Sequence, residues 1–448
     1  MQARVTLQRR ASVEQEVFSS PQMNCRLIRI PAWLVGWCVL ACLSVTAIPA
    51  QGQQPNRGDA DRTLRVFLLD ATGLAAARAA VGRGDKDIEP AWKKLQRDAA
   101  KALAAGSFSV MNKGVTPPSG DKHDYMSQAP YFWPDPSKPN GLPYIRRDGE
   151  RNPEINKITD HKSLDDLENS VETLALAYYF SGDEKYADKA AQLLRAFFLD
   201  PATRMNANLQ YAQFIPGVNT GRGIGLIETR GLTRIVDAVG LLDASKALTV
   251  SDRRGLRDWF EKFLQWMQEN KNGREESAAK NNHGTWYDVQ VVSFALFVGK
   301  TDLAKQTLET AKHKRITVQI EPDGRQPLEL ARTKAWSYSN GNLDGLMQLA
   351  TLGEHAGVDL WSFQTKDGRS IRKALDFLTP IALGEEKWQY QEIGGVKPDS
   401  LFPLMRRAAA IYRDKKYQSV MAKVPALDQA DRSRLLHSEE VTPKQAQR

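Results

Sequence analysis

Apolar residues recur along much of the chain at the spacing of a helix rather than a strand. Leu167, Val171, Leu174 and Tyr178 fall at i, i+4, i+7 and i+11, one face of a helix. Ser181-Gly182-Asp183 ends that stripe, because glycine tolerates the left-handed position after a helix and aspartate caps the next one. Tyr186, Ala190, Leu194 and Phe197 carry the following stripe. The same design returns where Phe294, Phe297 and Val298 lead through Gly299-Lys300-Thr301-Asp302 into Leu303, Ala304 and Leu308. Further helices are predicted over residues 89–105 and near 227–243, 253–269, 341–353, 368–382 and 399–413. Strand patterns are few, and Ile316 to Ile320 is the best short candidate. Successive helical hairpins without intervening strands predict an all-α fold: a bundle, a solenoid or an α/α toroid. No strict short period supports a tetratricopeptide-like array.

One stretch breaks the pattern. From Met111 to about Asn156, proline and glycine are dense, helical periodicity is lost and Tyr125, Tyr131, Phe132, Trp133 and Tyr144 are interspersed. A long loop in a compact protein is usually functional or disordered, and this many aromatics argue against disorder.

The N-terminus reads as a secretory signal peptide: basic Arg26 to Arg29, an apolar run from about Ile30 to Ala47, and the small-residue end Ala47-Ile48-Pro49-Ala50. Met23 fits the true start, and the alternative is a single membrane anchor. The expected division is a signal peptide over 1–50, an N-terminal spacer over 51–84, the helical domain over 85–420 and a polar tail over 421–448. All 3 cysteines (Cys25, Cys38, Cys42) lie in the leader, so the processed chain has no disulfide, cysteine nucleophile or iron–sulfur ligand. That composition suits a periplasmic or secreted protein of a Gram-negative bacterium.

The formal net charge is +9, of which the leader carries +3. A modest positive excess favours anionic partners. No nucleic-acid motif or long basic run is present, which leaves an acidic polysaccharide as the natural polyanion for an exported protein.

Four segments could carry chemistry. Lys280-Asn281-Asn282-His283-Gly284-Thr285-Trp286-Tyr287-Asp288 opens an apolar run, and polar groups at a buried helix start are costly unless paired. A histidine flanked by amides can bind an anion and move a proton; equally, it can be a helix cap with a satisfied core histidine. In Glu329-Leu330-Ala331-Arg332-Thr333-Lys334-Ala335-Trp336-Ser337-Tyr338, Arg332 can grip a carboxylate through two parallel hydrogen bonds. Tyr338 can exchange a proton if positive charge lowers its pKa. The structural alternative pairs Glu329 with Arg332 or Lys334 and packs the tyrosine. The segment Asp124 to Pro136, with Gln128, Tyr131 and Trp133, offers aromatic platforms beside polar groups, which suits sugar rings or a plugged core equally. Asn219 to Arg230 contains a GxGxG spacing but lacks the preceding strand of a nucleotide fingerprint; Arg222 and Arg230 can face a polyanion or form structural ion pairs. The 6 histidines are scattered without HxH or HExxH spacing, so no metal or other cofactor is expected, and no GxSxG elbow marks a serine hydrolase.

Together these segments resemble the alginate lyase family, bacterial polyuronate lyases with an α/α-toroid fold. The matching pieces are the Tyr-Phe-Trp-Pro-Asp-Pro run from Tyr131, Arg222 to Gly231 leading into a helix, Asn281-Asn282-His283, and Arg332 with Tyr338. They span most of the mature chain, and their details point to a branch distinct from the classical periplasmic mannuronate lyases. The resemblance implies an (α/α) toroid, an incomplete α/α barrel, that cleaves a 4-linked polyuronate, alginate or polyglucuronate, by β-elimination. Asn282 and Arg332 would neutralise the uronate carboxylate, with His283 assisting. Where H5 and O4 share a side of the ring, Tyr338 could remove one proton and supply the other. Where they lie opposite, His283 would be the base and Tyr338 the acid. Gln128, Tyr131, Trp133, Arg222, Arg230, Asn281, Trp286, Tyr287 and Lys334 would hold neighbouring sugars. Two other readings stay open. An α/α-barrel glycoside hydrolase needs a pair of carboxyl groups, for which Asp237, Asp288 and Glu329 are available. A non-catalytic glycan-binding protein would need only the aromatic loop.

Overall fold

The computed structural model of the protein describes residues 64–413, 415–424 and 429–437. The expected signal peptide lies outside them. Among the described residues no helix is long and apolar enough to cross a membrane.

The chain begins with α1 (Ala71–Gly82) and α2 (Glu89–Leu103), then the hairpin of α3 (Asp160–Ser181) and α4 (Glu184–Leu194). Next come α5 (Leu232–Leu241), α6 (Val250–Glu269), α7 (Lys271–Ser277) and the hairpin of α8 (Asn282–Val298) and α9 (Thr301–Ala311). Two short turns, α10 (Thr317–Gln319) and α11 (Pro327–Leu330), lead into α12 (Ala335–Ala356) and α13 (Ile371–Ala382). The chain closes with α14 (Phe402–Tyr412), α15 (Lys415–Lys423) and α16 (Ser433–Leu436). Gly182 and Gly299 sit at φ +72° and +85°, so each predicted hairpin turn uses the left-handed backbone that glycine permits.

Helices α3, α5, α8 and α12 touch one another in that order and form an inner layer. Helix α8 is buried almost throughout from Asn282 to Phe297, as a helix apolar on all sides must be. Helices α2, α4, α6, α9 and α13 pack outside them and bury fewer of their residues. This inner-and-outer pairing is the (α/α) toroid that the periodicity left as one of three options. Ile316 and Ile320 are not a strand. Ile316 ends the helical turn before α10 and Ile320 follows α10 in extended backbone, both fully buried.

The spacer expectation also gives way. Val66, Phe67 and Leu68 are buried, and residues 64–69 form a strap across the ends of the inner helices. The Asp237 carboxylate on α5 accepts from the backbone N–H groups of Phe67, Leu68 and Leu69 at 2.7–2.8 Å. Arg65 donates to the Phe297 carbonyl at the end of α8, and Phe67 meets His355 of α12 edge-on. Gly240 lets the strap pass, because a Cβ there would strike the Arg65 carbonyl. At the other end, Leu435 of α16 is fully buried and α16 packs on α1, α2 and α14, so part of the expected polar tail belongs to the core.

The Pro/Gly-rich segment is anchored rather than loose. Buried Lys113 donates to the carbonyls of Val110 and Lys122 and pairs with buried Asp160 at 2.9 Å. The segment contributes β1 (Met126–Gln128), β2 (Phe132–Trp133) and β3 (Ile145–Arg146). Strand β1 runs parallel to β4 (Tyr211–Phe214), and β2 is antiparallel to β3. Tyr125 and Ser127 both donate to the buried Glu228 carboxylate, at 2.8 and 2.6 Å, which ties the aromatic loop to the toroid.

Removing the carboxylate that holds the strap leaves three N–H groups without their acceptor. Asp237→Ala should lower unfolding stability by about 2–4 kcal/mol, read as a fall in the urea midpoint. An unchanged midpoint would show that the strap contributes nothing.

Candidate active site

Two helix starts and the aromatic loop converge. The first is the approach to α12. Arg332 is clamped by Asp148, with Nε to Oδ2 at 3.0 Å and Nη2 to Oδ1 at 2.7 Å. That geometry holds the Asp148 carboxyl well below the usual carboxylate range. The Arg332 guanidinium lies 4.0 Å from the centre of the Tyr338 ring. Glu392, from the loop before α14, accepts from the backbone N–H of Trp336 at 2.7 Å and from Ser337 Oγ at 2.6 Å. It thereby covers the open N–H groups at the start of α12.

Tyr338 donates its hydroxyl proton to the Tyr131 hydroxyl at 2.9 Å. Burial and that hydrogen bond raise the Tyr338 pKa well above the ordinary phenol value, outweighing the opposing pull of Arg332. The expectation that nearby positive charge would lower it is therefore reversed.

The second start is that of α8. Asn281 is extended at the N-cap, and its carbonyl accepts from Gln319 at 3.2 Å. Asn282 is buried, and both its backbone N–H and its Nδ2 donate to the Glu329 carboxylate at 2.7 Å. Glu329 is not the surface partner of Arg332 or Lys334. It is buried on α11, where burial raises its pKa, and it lies near enough for Arg332 and His283 to act on its charge. His283 Nδ1 lies 2.7 Å from Oε1 of buried Glu276 on α7. No partner among the described residues occupies Nε2. The turn before α8 is fixed by buried Arg315, which pairs with Asp288 at 2.8 Å and donates to the carbonyls of Ser277 and Ala279. Gly284 leaves the room Arg315 needs.

The third component is the loop. Arg222 donates to Gln213 Oε1 at 2.7 Å and its guanidinium lies 5.0 Å from the Phe132 ring centre. Burial pushes the Arg222 pKa down to about 10. Gln213 holds φ +48°, an uncommon conformation for a side-chain-bearing residue, at the bulge where β4 pairs with β1. Gln128 and Arg222 each keep a buried nitrogen, Nε2 and Nε respectively, without an acceptor among the described residues. Trp133 is half-buried, donating to the Glu150 carbonyl with Arg147 5.2 Å from its ring centre. Arg230 is exposed, 5.8 Å from the ring centre of Trp286. Lys334 is half-buried without a carboxylate partner among the described residues. Two expected sugar contacts fare differently. Tyr287 is buried and donates to the Met267 carbonyl at 3.2 Å, so it packs the core. Trp286 is also largely buried and serves as the floor beneath Arg230.

The sequence profile of the Alginate lyase family matches residues 109–388, more than half of the chain. The chain belongs to the alginate lyase family. It is a polysaccharide lyase, and its helical domain has the family's α/α toroid. An alginate lyase from Bacteroides ovatus is 44% identical, with a TM-score of 0.81 over 84% of this chain and 100% of that one. Alginate lyase A1-III from Sphingomonas species A1 shares the fold at 16% identity, with a TM-score of 0.52 over 87% of this chain and 100% of its own. A histidine-to-alanine variant of alginate lyase A1-III, complexed with a tetrasaccharide, aligns at the same identity and TM-score over 85% of this chain and 98% of its own. A comparison with curated proteins finds no match.

Asp148, Glu276, Glu392 and Gln213 were not anticipated as parts of this site. Only Gln213 carries a backbone signature, its positive φ, and that is invisible in sequence. Glu329→Ala should leave helix content intact but release Asn282 from both its bonds, lowering turnover at least roughly tenfold. Wild-type turnover in this variant would remove the Glu329–Asn282 link from the active arrangement.

Proposed function

We propose that the chain cleaves a 4-linked polyuronate of the alginate type by β-elimination, with Tyr338 as the proton donor to O4 and His283 as the base at C5. The observation that carries the reading is the half-buried Tyr338 phenol, with Tyr131 at its hydroxyl and Arg332 on its ring face. A neutral phenol is the state a general acid requires, and the cation on its face stabilises the phenolate that forms as the proton leaves.

Elimination starts by making the C5 proton acidic. The uronate carboxylate must accept part of the developing carbanion charge, so hydrogen-bond donors should surround it. Asn282 supplies its remaining amide hydrogen, oriented by Glu329. Arg332 has Nε and Nη2 engaged by Asp148, so its contribution to the carboxylate is through its field and Nη1. His283, with Nδ1 toward Glu276, presents Nε2 as the basic nitrogen when Nδ1 carries the proton. The C4–O4 bond breaks as the C4–C5 double bond forms; Tyr338 protonates the departing oxygen, and an unsaturated sugar end remains. Gln128, Tyr131, Trp133, Arg222, Arg230, Asn281 and Lys334 are the proposed contacts to neighbouring sugars, with Trp286 beneath Arg230, led by the nitrogens of Gln128 and Arg222 that lack an acceptor among the described residues. The reading includes export to the periplasm or beyond, since an extracellular polymer is the substrate.

The hydrolase alternative loses its carboxyl groups: Asp237 holds the strap, Asp288 is paired with Arg315 and Glu329 holds Asn282. Ultraviolet absorbance of the new conjugated double bond tests the proposal. Residues 51–448 would be assayed on polymannuronate, polyguluronate, glucuronan and hyaluronan. Absorbance should rise on at least one polymer and fall by about 10²–10⁴-fold in Tyr338→Phe. A rise confined to polyguluronate supports His283 as the base. A rise confined to polymannuronate or glucuronan returns both proton steps to Tyr338. Reducing ends released without absorbance would replace elimination by hydrolysis.

A further inference from the structure

Arg332 is expected to grip the substrate carboxylate, yet its geometry assigns it elsewhere. An arginine recognises a carboxylate best through two parallel N–H bonds along one edge of its fork. In this chain that edge belongs to Asp148. The carboxylate is itself thoroughly held: Oδ1 also accepts from Arg146 Nη2 at 2.7 Å, and Oδ2 from Thr333 Oγ1 at 3.1 Å. The Asp148 carbonyl accepts from the same Thr333 hydroxyl at 3.0 Å. The neighbouring Gly149 is left-handed at φ +78°, and a Cβ there would strike Thr333 Oγ1. The Asp148 turn and the Arg332–Thr333 pair are therefore built against each other, 184 residues apart in sequence.

We propose that Asp148 is a positioning residue of the lyase reaction: its two-bond hold commits Arg332 to the ring face of Tyr338 instead of to a two-bond grip on the substrate carboxylate. This rests on Tyr338 being the proton donor. The groups facing the Tyr338 phenol are Tyr131 at its hydroxyl, Arg332 on its ring, and Asp148 behind the guanidinium. Arg332 favours the phenolate, while Tyr131 and the negative charge of Asp148 oppose it. Asp148 thus does two things. It keeps the cation in contact with the ring for the moment when charge develops, and it keeps the phenol protonated beforehand.

The sign of the test follows. Asp148→Asn removes a negative charge near the phenol, which favours the phenolate and moves Tyr338 titration to lower pH. The neutral donor is then lost at lower pH, so the alkaline limb of kcat moves in the acidic direction. Of the 12 tyrosines, Tyr338 is isolated by ultraviolet difference titration against Tyr338→Phe, in the wild-type and in the Asp148→Asn background, without substrate. Steady-state rates on the polymer the wild type cleaves supply the second readout. The expected result is an acidic shift of both the titration and the kcat limb, kcat lowered about tenfold, and KM within about threefold of wild type. A KM increase of about tenfold or more, with titration and kcat unchanged, would make Arg332 a substrate clamp and overturn the proposal. So would a parallel loss of kcat and melting temperature with the titration unmoved. If Asp148→Asn does not fold, Arg332→Lys decides: a lysine cannot keep both the fork and the ring contact, so titration should move with KM unchanged, and a rise in KM alone refutes the proposal. A wild type inactive on every polymer would sink the lyase reading, whereas the substrate-free titration would still decide the coupling of Asp148 to Tyr338.

Discussion

The buried carboxylate of Glu329 is the joint on which the site turns. It lies three residues before Arg332 and accepts twice from Asn282, so one side chain joins the approach to α12 to the start of α8. Burying a carboxyl group is unfavourable, and burial raises its pKa. Two short bonds from one asparagine offset part of that cost. They also fix Asn282 in place, which a solvent-exposed carboxylate could not do. The same device recurs. Glu392 covers the start of α12, and Asp237 covers three N–H groups of the strap. In each case a carboxylate from a distant segment satisfies backbone donors that would otherwise be unpaired, and so specifies which segments meet.

Much of the scaffold was legible because it is periodic. The stripes on α3, α4, α8 and α9 and the glycine turns at Gly182 and Gly299 follow from local geometry, so spacing alone revealed them. Ile316 and Ile320 misled because a short apolar run with ambiguous spacing reads as either element. The spacer failed for another reason. Residues 64–69 have no regular structure; their order comes from Asp237, which is remote in sequence. Asn282, His283, Arg332 and Tyr338 were legible as chemistry-bearing residue types in compact motifs. Their orienting partners were not. Asp148 and Glu276 are acidic residues in an aperiodic loop and a short polar helix, with nothing local to separate them from solvated charges. Tyr287 erred the opposite way: beside Trp286 it looked like a platform, but its position on α8 turns its hydroxyl to the Met267 carbonyl.

The aromatic loop shows how an irregular segment can be a rigid mount. Its backbone cannot satisfy itself as a helix does, so satisfaction comes from buried side chains at its base. Lys113 bonds two carbonyls, Asp160 takes Lys113 and the Met126 N–H, and Glu228 takes Tyr125 and Ser127. These contacts lie on the toroid side of the loop and leave Tyr131, Phe132 and Trp133 half-buried on the other. Gln213 then carries backbone strain where β4 bulges against β1, with its side chain on Arg222. Strain of about 1–3 kcal/mol persists only where the surroundings enforce it. The parallel pairing with β1 and the Ser127 bond to the Gln213 N–H provide that enforcement.

These attachments also set the electrostatics of the candidate site. Arg332 is paired with Asp148 and Arg315 with Asp288, whereas Arg222, Arg230 and Lys334 have no carboxylate ion-pair partner among the described residues. Arg222 is the least hydrated of the three, with burial depressing its pKa, so an anionic group that reaches it meets a cation poorly served by water. Arg230 is exposed, and its attraction is screened by salt over a Debye length of about 10 Å. In the proposed reading, affinity for the polymer therefore divides into a salt-sensitive part at Arg230 and a salt-resistant part at Arg222. In the proposed reading, the proton-transfer groups His283 and Tyr338 draw on neither. His283 is held by Glu276, and Tyr338 by Tyr131 with Arg332 on its ring, so in that reading binding and chemistry rest on different groups.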